Sequence, residues 1–188
     1  MSMLPEISLN LLDIAQNSIK AGATCVRISL KKSRAEESLS ATVEDDGCGM
    51  DEETVKQVVD PFYTTRTTRK VGLGIPFFKQ GAEMTGGSFS LESQPGVGTR
   101  ISAKFCLSHI DCMPLGEMDD TLLTLIQCNP DLRIVYTYQV DDTSFTLDTD
   151  EIREILGGVP LQTPEVMNFL REYLSEQTKF VERGASEQ

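Results

Sequence analysis

Apolar and polar residues recur along this chain in two different periods, which separate predicted helices from predicted strands. Between Glu6 and Ala21 apolar side chains return every three to four positions, which predicts an amphipathic helix. Gly22 follows and predicts the end of that helix. From Cys25 to Leu30 the period is two, which predicts a strand, and after a polar loop Leu39 to Glu44 is predicted to be the returning strand.

The middle of the chain predicts shorter elements around one loop. Asp51 to Val59 predicts a short helix capped by its first residue, and Leu73 to Met84 predicts a second helix. Two strands are predicted from Ser88 to Ser93 and from Thr99 to Phe105, joined by a turn rich in glycine. The intervening stretch, Asp60 to Val71, has no regular period and is predicted to be a loop.

A boundary is predicted near Leu107, which divides the chain into domains of residues 1–107 and 108–188. The second part is predicted to be a small acidic α+β domain whose last ten or so residues are frayed. Its predicted elements are a helix at Glu117 to Gln127, a hairpin at Leu132 to Val140 and Ser144 to Leu147, and helices at Asp150 to Leu156 and Pro164 to Ser175.

Composition and charge narrow the function classes. The 188 residues are 39% hydrophobic and 24% charged, an ordinary globular balance, and no apolar run is long enough to span a membrane. The net charge is −12, and residues 108–188 carry most of it, with 16 acidic and five basic side chains. This distribution disfavours nucleic acid and membrane partners and favours a protein partner for the acidic part. Five scattered cysteines without a CxxC pair, and no signal peptide, predict a reduced, cytoplasmic protein.

Two sequence patterns offer oxygen atoms to a ligand. Asp13 and Asn17 are four residues apart on one face of the first helix, where a carboxylate and an amide oxygen can hold a hard cation such as Mg²⁺. The run Asp45-Asp46-Gly47-Cys48-Gly49 follows a strand directly, so a carboxylate lies beside glycines that let the backbone approach a ligand closely. Taken singly, the first pattern is also typical of a solvated helix face and the second of a simple turn.

Two further patterns involve glycines at element ends. Gly72-Leu73-Gly74 enters a predicted helix from a loop with basic residues, and free N–H groups at a helix start favour a phosphate. The run is neither a Walker loop nor a Rossmann fingerprint. Gly96-Val97-Gly98-Thr99 opens the last strand of the first part, where an ordinary hairpin turn is an equally good interpretation.

The order and spacing of these patterns resemble the GHKL ATPases, the superfamily of gyrase, heat-shock chaperones, histidine kinases and MutL. The resemblance covers roughly Glu6 to Leu107. It implies an α+β fold, a two-layer α/β sandwich of the Bergerat type, with helices on one face of a mixed sheet and a small C-terminal α+β extension. The matching runs are Asn17-Ser18-Ile19-Lys20-Ala21-Gly22-Ala23-Thr24, Asp45-Asp46-Gly47-Cys48-Gly49, Asp60-Pro61-Phe62-Tyr63-Thr64-Thr65, Gly72-Leu73-Gly74 and Glu92-Ser93-Gln94-Pro95-Gly96-Val97-Gly98-Thr99.

The resemblance also implies ATP and Mg²⁺ as cofactors and a role for each matching position. Asn17 would bind Mg²⁺, Asp45 would accept a hydrogen bond from the adenine amine, and Thr99 would assist through a water. Asp13 stands where gyrase and MutL place the glutamate that activates water, but it is one methylene shorter, which predicts slow hydrolysis. The other implied contacts are Gly47 and Gly49 in the adenine pocket, Gly72, Leu73 and Gly74 at the phosphates, and Thr65 and Lys70 in a lid from Thr64 to Lys70.

Two functions follow from this resemblance. The first is a Mg-dependent ATPase or a kinase that passes phosphate to a separate protein. The second is a nucleotide-gated regulator that binds ATP and turns over little. A mismatch-repair-like clamp is a third possibility, against which the net charge of −12 counts.

Overall fold

The computed structural model describes residues 6–60, 62 and 73–184. Most of the predicted loop from Asp60 to Val71, including the predicted lid, lies outside the described residues. The described elements, in chain order, are α1 (Ile7–Lys20), β1 (Cys25–Ser33), β2 (Ser38–Asp45), α2 (Glu52–Val58), α3 (Gly74–Met84), β3 (Ser88–Gln94), β4 (Gly98–Cys106), α4 (Met118–Cys128), β5 (Arg133–Val140), β6 (Thr143–Asp148), α5 (Thr149–Leu156) and α6 (Pro164–Gly184).

The six strands form one mixed sheet in the order β3-β4-β2-β1-β5-β6. All neighbouring strands are antiparallel except β1 and β5, which run parallel. Because side chains alternate along a strand, the period of two in β1 places Val26, Ile28 and Leu30 on one face, where all three are buried. The opposite face carries polar residues such as Arg27 and Glu44.

Helices cover the apolar face of this sheet. α1 and α3 pack on the half of the sheet formed by β1, β2, β3 and β4, α6 packs on β5 and β6, and α4 contacts both α1 and α6. The predicted two-layer α+β sandwich is confirmed.

The first turn of α1 is held by the segment that follows β4. Among the described residues, no side chain caps this helix. Instead, the N–H groups of Ile7 and Ser8 donate to the carbonyls of Pro114 and Leu115 at 3.0 and 2.8 Å. Since the first N–H groups of a helix have no partner within it, this segment supplies two missing acceptors. Residues beyond the predicted boundary therefore support the helix that carries Asp13 and Asn17.

Two predicted boundaries differ from the structure. The first hairpin loop, predicted from Lys31 to Ser38, is only residues 34–37, because the strands extend to Ser33 and begin again at Ser38. The last helix was predicted to end at Ser175 before a frayed terminus, which is wrong, because α6 continues to Gly184. Val181, fully buried, and Glu182, paired with Lys32, hold this last part on the sheet.

The predicted boundary near Leu107 falls between β4 and α4, yet both parts share one sheet and one hydrophobic core. β5 pairs with β1 from Cys25↔Arg133 to Lys32↔Val140. The division into residues 1–107 and 108–188 stays a prediction. Within the described part of the chain, no helix is long and apolar enough to cross a membrane.

Candidate functional site

The register of the sheet places three polar residues side by side at one end of β2. Asp45 lies opposite Thr99 on β4, and Thr99 lies opposite Ser93 on β3. Asp45 also lies opposite Val26, a buried residue of the helix-covered face. Because directly opposite residues point to the same face, this polar row lies under the helices. A carboxylate and two hydroxyls thus meet at the edge of the hydrophobic core.

A cavity of about 310 Å³ lies above this row, between α1, α2, the start of α3 and the strand ends. This volume is at the lower end of the range for small-molecule sites, which are mainly apolar with a few oriented polar groups. The apolar lining residues are Ile14, Ala21, Met50, Val58, Ile75 and Ile101. The polar ones are Asn17, Ser18, Asp45 and Thr99, with Lys20, Cys48, Gly49 and Thr54 completing the wall.

A larger hollow of about 520 Å³ lies along the same strand ends. Charged residues contribute much of its lining, among them Arg27, Glu44 and Arg100. Arg27, Glu44 and Arg100 lie opposite one another on the polar face of the sheet. The 310 Å³ cavity is the better candidate for an organic ligand, because it has apolar walls and faces the core.

Both oxygens of the Asp45 carboxylate are fixed by neighbours. Oδ2 accepts a hydrogen bond from the hydroxyl of Ser18 at 2.5 Å, and Oδ1 accepts one from the backbone N–H of Gly47 at 2.9 Å. Ser18 itself is buried on α1. Each carboxylate oxygen has a further lone pair, so the half-buried group can accept another hydrogen bond from a ligand in the cavity.

The adjacent Asp46 has a different, structural role. Its carboxylate accepts hydrogen bonds from the N–H and hydroxyl of Thr24, at 2.7 and 2.5 Å, and from the N–H of Cys25 at 2.9 Å. These bonds, the Thr24 hydroxyl above all, lower the pKa of Asp46. Asp46 therefore joins the end of β2 to the start of β1, which leaves Asp45 as the carboxylate of the cavity.

The turn after Asp45 is held between α1 and the β3–β4 hairpin. Cys48 donates its N–H to the carbonyl of Ala21 at 2.9 Å and accepts from the N–H of Gly96 at 2.7 Å. Gly49 has a φ of +67°, and a Cβ there would lie 2.0 Å from the carbonyl oxygen of Gln94. No side chain fits at this position, so the close approach of the two turns requires glycine.

Asn17 presents an unpaired amide to the cavity. Its Nδ2 is buried and has no hydrogen-bond partner among the described residues. Buried polar atoms without partners are rare and call for an explanation, such as a ligand. A half-turn about the last side-chain bond exchanges the amide oxygen and nitrogen, so the residue can offer oxygen to a hard cation. The side chain therefore fits the magnesium role that the resemblance implies.

Asp13 and Gly74 touch where α3 meets α1. A Cβ built on Gly74 would lie 2.6 Å from the Cβ of Asp13, so the absence of a side chain allows this contact. Asp13 itself is exposed, one helical turn before Asn17. Leu73, predicted at the phosphates, precedes the first residue of α3 and is 45% exposed. The carboxylate of Asp13 is thus next to the N-terminus of α3, where negative charge is favoured.

Thr99 is linked to a hydroxyl that the sequence interpretation passed over. Its Oγ1 lies 2.8 Å from the Oγ of Ser93, which also accepts from the N–H of Met50 at 2.8 Å. Ser18 is the second polar residue without a predicted role. Both serines lie in runs that match the family, and Ser18 also lies inside the apolar stripe of α1, but the contact between Ser93 and Thr99 follows only from the β3–β4 register.

The predicted site residues thus fall into three groups. Asn17, Asp45, Gly49 and Thr99 line the cavity, with Gly47 bonded to Asp45. Asp13, Leu73 and Gly74 lie at the junction of α1 and α3 and are not part of the lining. Thr65, Lys70 and Gly72 lie outside the described residues.

Comparison of the sequence with those of known proteins identifies relatives among the histidine kinases. AtoS, a signal transduction histidine-protein kinase of Escherichia coli strain K12, is 30% identical over 100 residues, which cover 53% of this chain and 16% of AtoS. FleS, a sensor protein kinase of Pseudomonas aeruginosa, is 34% identical over 109 residues, covering 58% of this chain and 26% of FleS. The chain therefore corresponds to a minor part of these relatives.

Among solved structures, a crystal structure of the N-terminal domain of a DNA repair protein matches with a TM-score of 0.53. It is 14% identical in sequence, and the match covers 76% of this chain and 52% of that one, so it shows the fold alone. A model of the histidine kinase-, DNA gyrase B- and HSP90-like ATPase family matches residues 4–109, more than half of the chain. The protein therefore belongs to this family of ATPases, whose domain implies ATP binding in general.

Proposed function

We propose that this protein binds Mg·ATP in the cavity above Asp45 and uses it slowly, by hydrolysis or by phosphoryl transfer to a separate protein. The observation that carries the proposal is the Asp45 carboxylate, which Ser18 and Gly47 hold at the base of a largely apolar cavity. An acceptor fixed in this way suits the exocyclic amine of adenine, and apolar walls suit the faces of its ring.

The other side chains of the cavity divide the remaining tasks. Thr99 would assist at the adenine through a water, beside Asp45. Asn17 would offer its unpaired amide to Mg²⁺, which would neutralise charge on the phosphates during transfer. A single protein oxygen is sufficient for such an ion, because Mg²⁺ is usually completed by waters and phosphate oxygens. Gly72 would contact the phosphates, and the lid residues Thr65 and Lys70 would close over them.

Turnover depends on Asp13 and on a partner. Asp13 is an exposed carboxylate of α1 that lies beside the start of α3. It is the candidate base for a water, with a shorter reach than glutamate. The acidic segment 108–188 would bind the protein that receives phosphate or responds to ATP. The same short reach favours the second candidate function, a regulator that binds ATP and changes its lid with little turnover.

Nucleotide binding is tested first by calorimetric titration with ATP and Mg²⁺. Asp45→Asn should abolish binding, because the new amide presents a donor where the adenine amine also donates. Glu44→Gln is the matched control, since Glu44 is the adjacent carboxyl on the polar face and is exposed. An Asp45→Asn affinity within about twofold of the wild type, well under 1 kcal/mol, would refute the assignment of the pocket.

The magnesium role and turnover need separate measurements. Asn17→Ala should weaken ATP binding more with Mg²⁺ than without it, and equal losses in both conditions would contradict a metal contact. Incubation with γ-labelled ATP then follows free phosphate and protein-bound label over hours. Phosphate release that Asp13→Ala abolishes supports an ATPase. Intact binding without release or label supports the regulator or a kinase that lacks its protein substrate.

A further inference from the structure

A second cavity lies on the opposite side of the molecule from β3 and the nucleotide site, between α5, α6 and the edge strand β6. Its volume is about 410 Å³, and most of its lining is apolar. α5 and α6 form the two walls, and β6 forms the floor. The main apolar lining residues are Leu147, Ile152, Ile155, Val166, Phe169 and Tyr173, which we call the C-terminal groove.

Two large apolar side chains of this groove point to water. Ile155 is 83% exposed and Phe169 is 60% exposed. Phe169 stacks on Tyr173, with ring centroids 6.1 Å apart, so the two rings form one continuous aromatic wall. Contiguous exposed apolar surface around a cavity is typical of an interaction site.

The rim of the groove is acidic, and the nearby cations are already engaged. Glu151 and Glu165 line the groove, are exposed, and form no ion pair among the described residues. Arg153 is bonded to Asp150 and to the carbonyls of Pro130 and Leu132. Arg171 pairs with Asp120 on α4. The free charge at the groove is therefore negative, as it is over the whole of residues 108–188.

The spacing of the wall residues indicates the shape of the occupant. Val166, Phe169 and Tyr173 recur at intervals of three and four along α6, so they form a straight stripe two turns long. A groove with helical walls and such a stripe fits the apolar face of another helix, which would place its own side chains at the same intervals. The carboxylates at the rim fit lysine or arginine on the flanks of that helix.

We propose that the C-terminal groove binds a basic amphipathic helix of a partner protein. The inference rests on the part of the proposed function that assigns a protein partner to the acidic segment. It adds the position of the contact and the chemistry of the partner: apolar residues at helical spacing, flanked by basic ones. A second copy of this chain is a poor occupant, because its net charge is −12 and its surface at residues 108–188 is equally acidic.

The test uses the full chain and fluorescently labelled peptides of defined design. The main probe is a peptide of about 18 residues with leucine at helical spacing and lysine elsewhere. A second peptide replaces lysine with glutamate, and a third contains the same leucines and lysines in strict alternation. Fluorescence anisotropy should show binding of the first peptide, at least tenfold weaker binding of the other two, and an affinity that decreases as salt increases.

Matched double variants separate the groove from general attraction to an acidic surface. Ile155→Ala with Phe169→Ala should weaken binding of the helical leucine–lysine peptide at least tenfold. Ile110→Ala with Phe180→Ala makes the same chemical changes at positions that are 94% and 61% exposed and outside the groove, and should leave binding unchanged. All four residues are exposed, so thermal unfolding of both double variants should resemble that of the wild type.

Each remaining outcome overturns the inference. These outcomes are equal binding by the two double variants, preference for the alternating or glutamate peptide, and no binding of any peptide. Self-association of the wild type that the groove variant abolishes would assign the surface to a homodimer instead. Measuring both ATP and peptide affinity distinguishes failure of the nucleotide site from failure of the groove. The Asp45→Asn variant should bind the peptide with wild-type affinity, and the groove variant should bind ATP with wild-type affinity.

Discussion

The hydroxyl of Ser93 has one proton but lies within hydrogen-bond distance of three groups. The N–H of Met50 donates to it, the carbonyl of Gly98 is 3.1 Å away, and the hydroxyl of Thr99 is 2.8 Å away. If Ser93 donates to Gly98, then Thr99 donates to Ser93 and offers only lone pairs to the cavity. A single serine thus determines which kind of ligand group Thr99 can receive.

Ser93→Ala should therefore weaken ATP binding without abolishing it. The substitution frees the Thr99 hydroxyl and leaves the N–H of Met50 without its acceptor. We expect the binding free energy to decrease by about 1 kcal/mol, which is roughly fivefold in affinity. Ser90→Ala is the control, because Ser90 is exposed on the polar face of the same strand. Calorimetric titration of both variants checks the prediction, and equal affinities would show that Ser93 does not position Thr99.

At the residue scale, the sequence predicts which residues form the site better than it predicts the hydrogen bonds between them. Asp45, Asn17 and Thr99 were identified because their spacing resembles a family, and the structure brings all three to one cavity. Ser18 and Ser93 were not assigned roles, because each acts through a hydrogen-bond partner that only the folded chain brings next to it. The Ser18–Asp45 bond joins residues 27 positions apart, and no local period encodes such a pairing.

At the scale of elements, α3 depends on two glycines for different reasons. A Cβ on Gly74 would meet the Cβ of Asp13, which is fixed to the backbone of α1 and cannot turn away. A Cβ on Gly81 would meet the terminal methyl of Met113, the far end of a flexible side chain. Both glycines are buried in the same helix, so they form a matched pair.

Gly74→Ala should lower the free energy of unfolding by about 1–3 kcal/mol, the usual cost of overpacking a rigid contact. Gly81→Ala should change it by less than about 1 kcal/mol, because Met113 can move and alanine favours a helix. Denaturation in urea measures both. Equal destabilisation of the two variants would contradict the argument that α1 and α3 meet rigidly at Asp13.

The start of α5 depends on a buried carboxylate. Asp148 accepts from the N–H of Asp150 as the cap of this helix and pairs with Arg133 at 2.6 Å. The hydrogen bond from Arg133 lowers the pKa of Asp148. Because the folded pKa lies below the unfolded value of about 3.9, this stabilisation is present above the unfolded pKa and is lost as the pH falls through the folded one.

Asp148→Asn should retain the cap but remove the charge. We expect a loss of about 1 kcal/mol at pH 7 and a weaker decline in stability on acidification than in the wild type. Asp142→Asn, an exposed residue in the β5–β6 turn, should leave the pH profile unchanged. Urea denaturation between pH 3 and pH 7 tests this, and parallel profiles for wild type and Asp148→Asn would refute the role of Arg133.

Elements with strong local signals were predicted well, and those that rely on distant partners were not. The apolar period of α1 and the Asp51 cap of α2 are both found in the structure, with Asp51 accepting from the N–H of Thr54 at 2.8 Å. The last helix was predicted to end at Ser175 and the last ten or so residues to be frayed, but α6 continues to Gly184. Its order comes from contacts with strands early in the chain, which no helical period reveals.

On the scale of the whole molecule, Glu182 at the end of α6 bonds to residues near the start of the chain. Its carboxylate accepts from Lys32 at 3.0 and 3.2 Å and from the hydroxyl of Tyr138, and Arg34 donates to its carbonyl at 2.5 Å. Partial burial raises the pKa of Glu182, but the bonds from Tyr138 and Lys32 outweigh it, so the net shift is downward. The C-terminal helix is thus fastened to the β1–β2 hairpin and β5.

These contacts between the two ends of the chain predict that residues 1–107 do not fold without residues 108–188. A fragment that ends at residue 107 loses β5, the parallel neighbour of β1, and with it Ile134 and Tyr136, the buried residues that lie beside Val26 and Ile28. It also loses the carbonyls of Pro114 and Leu115 that hold the start of α1. A second fragment, ending at residue 116, restores those carbonyls but not the strand, and separates the two effects.

We expect cooperative thermal unfolding and ATP binding from the full chain and neither from the two fragments, as followed by circular dichroism and calorimetric titration. An exposed β1 edge with an uncovered apolar face should also make both fragments aggregate. If the 107-residue fragment melts cooperatively and binds ATP with the affinity of the full chain, the predicted boundary is a true domain boundary. If only the 116-residue fragment does so, the support of α1 by the segment after β4, and not the shared sheet, is what the nucleotide site requires.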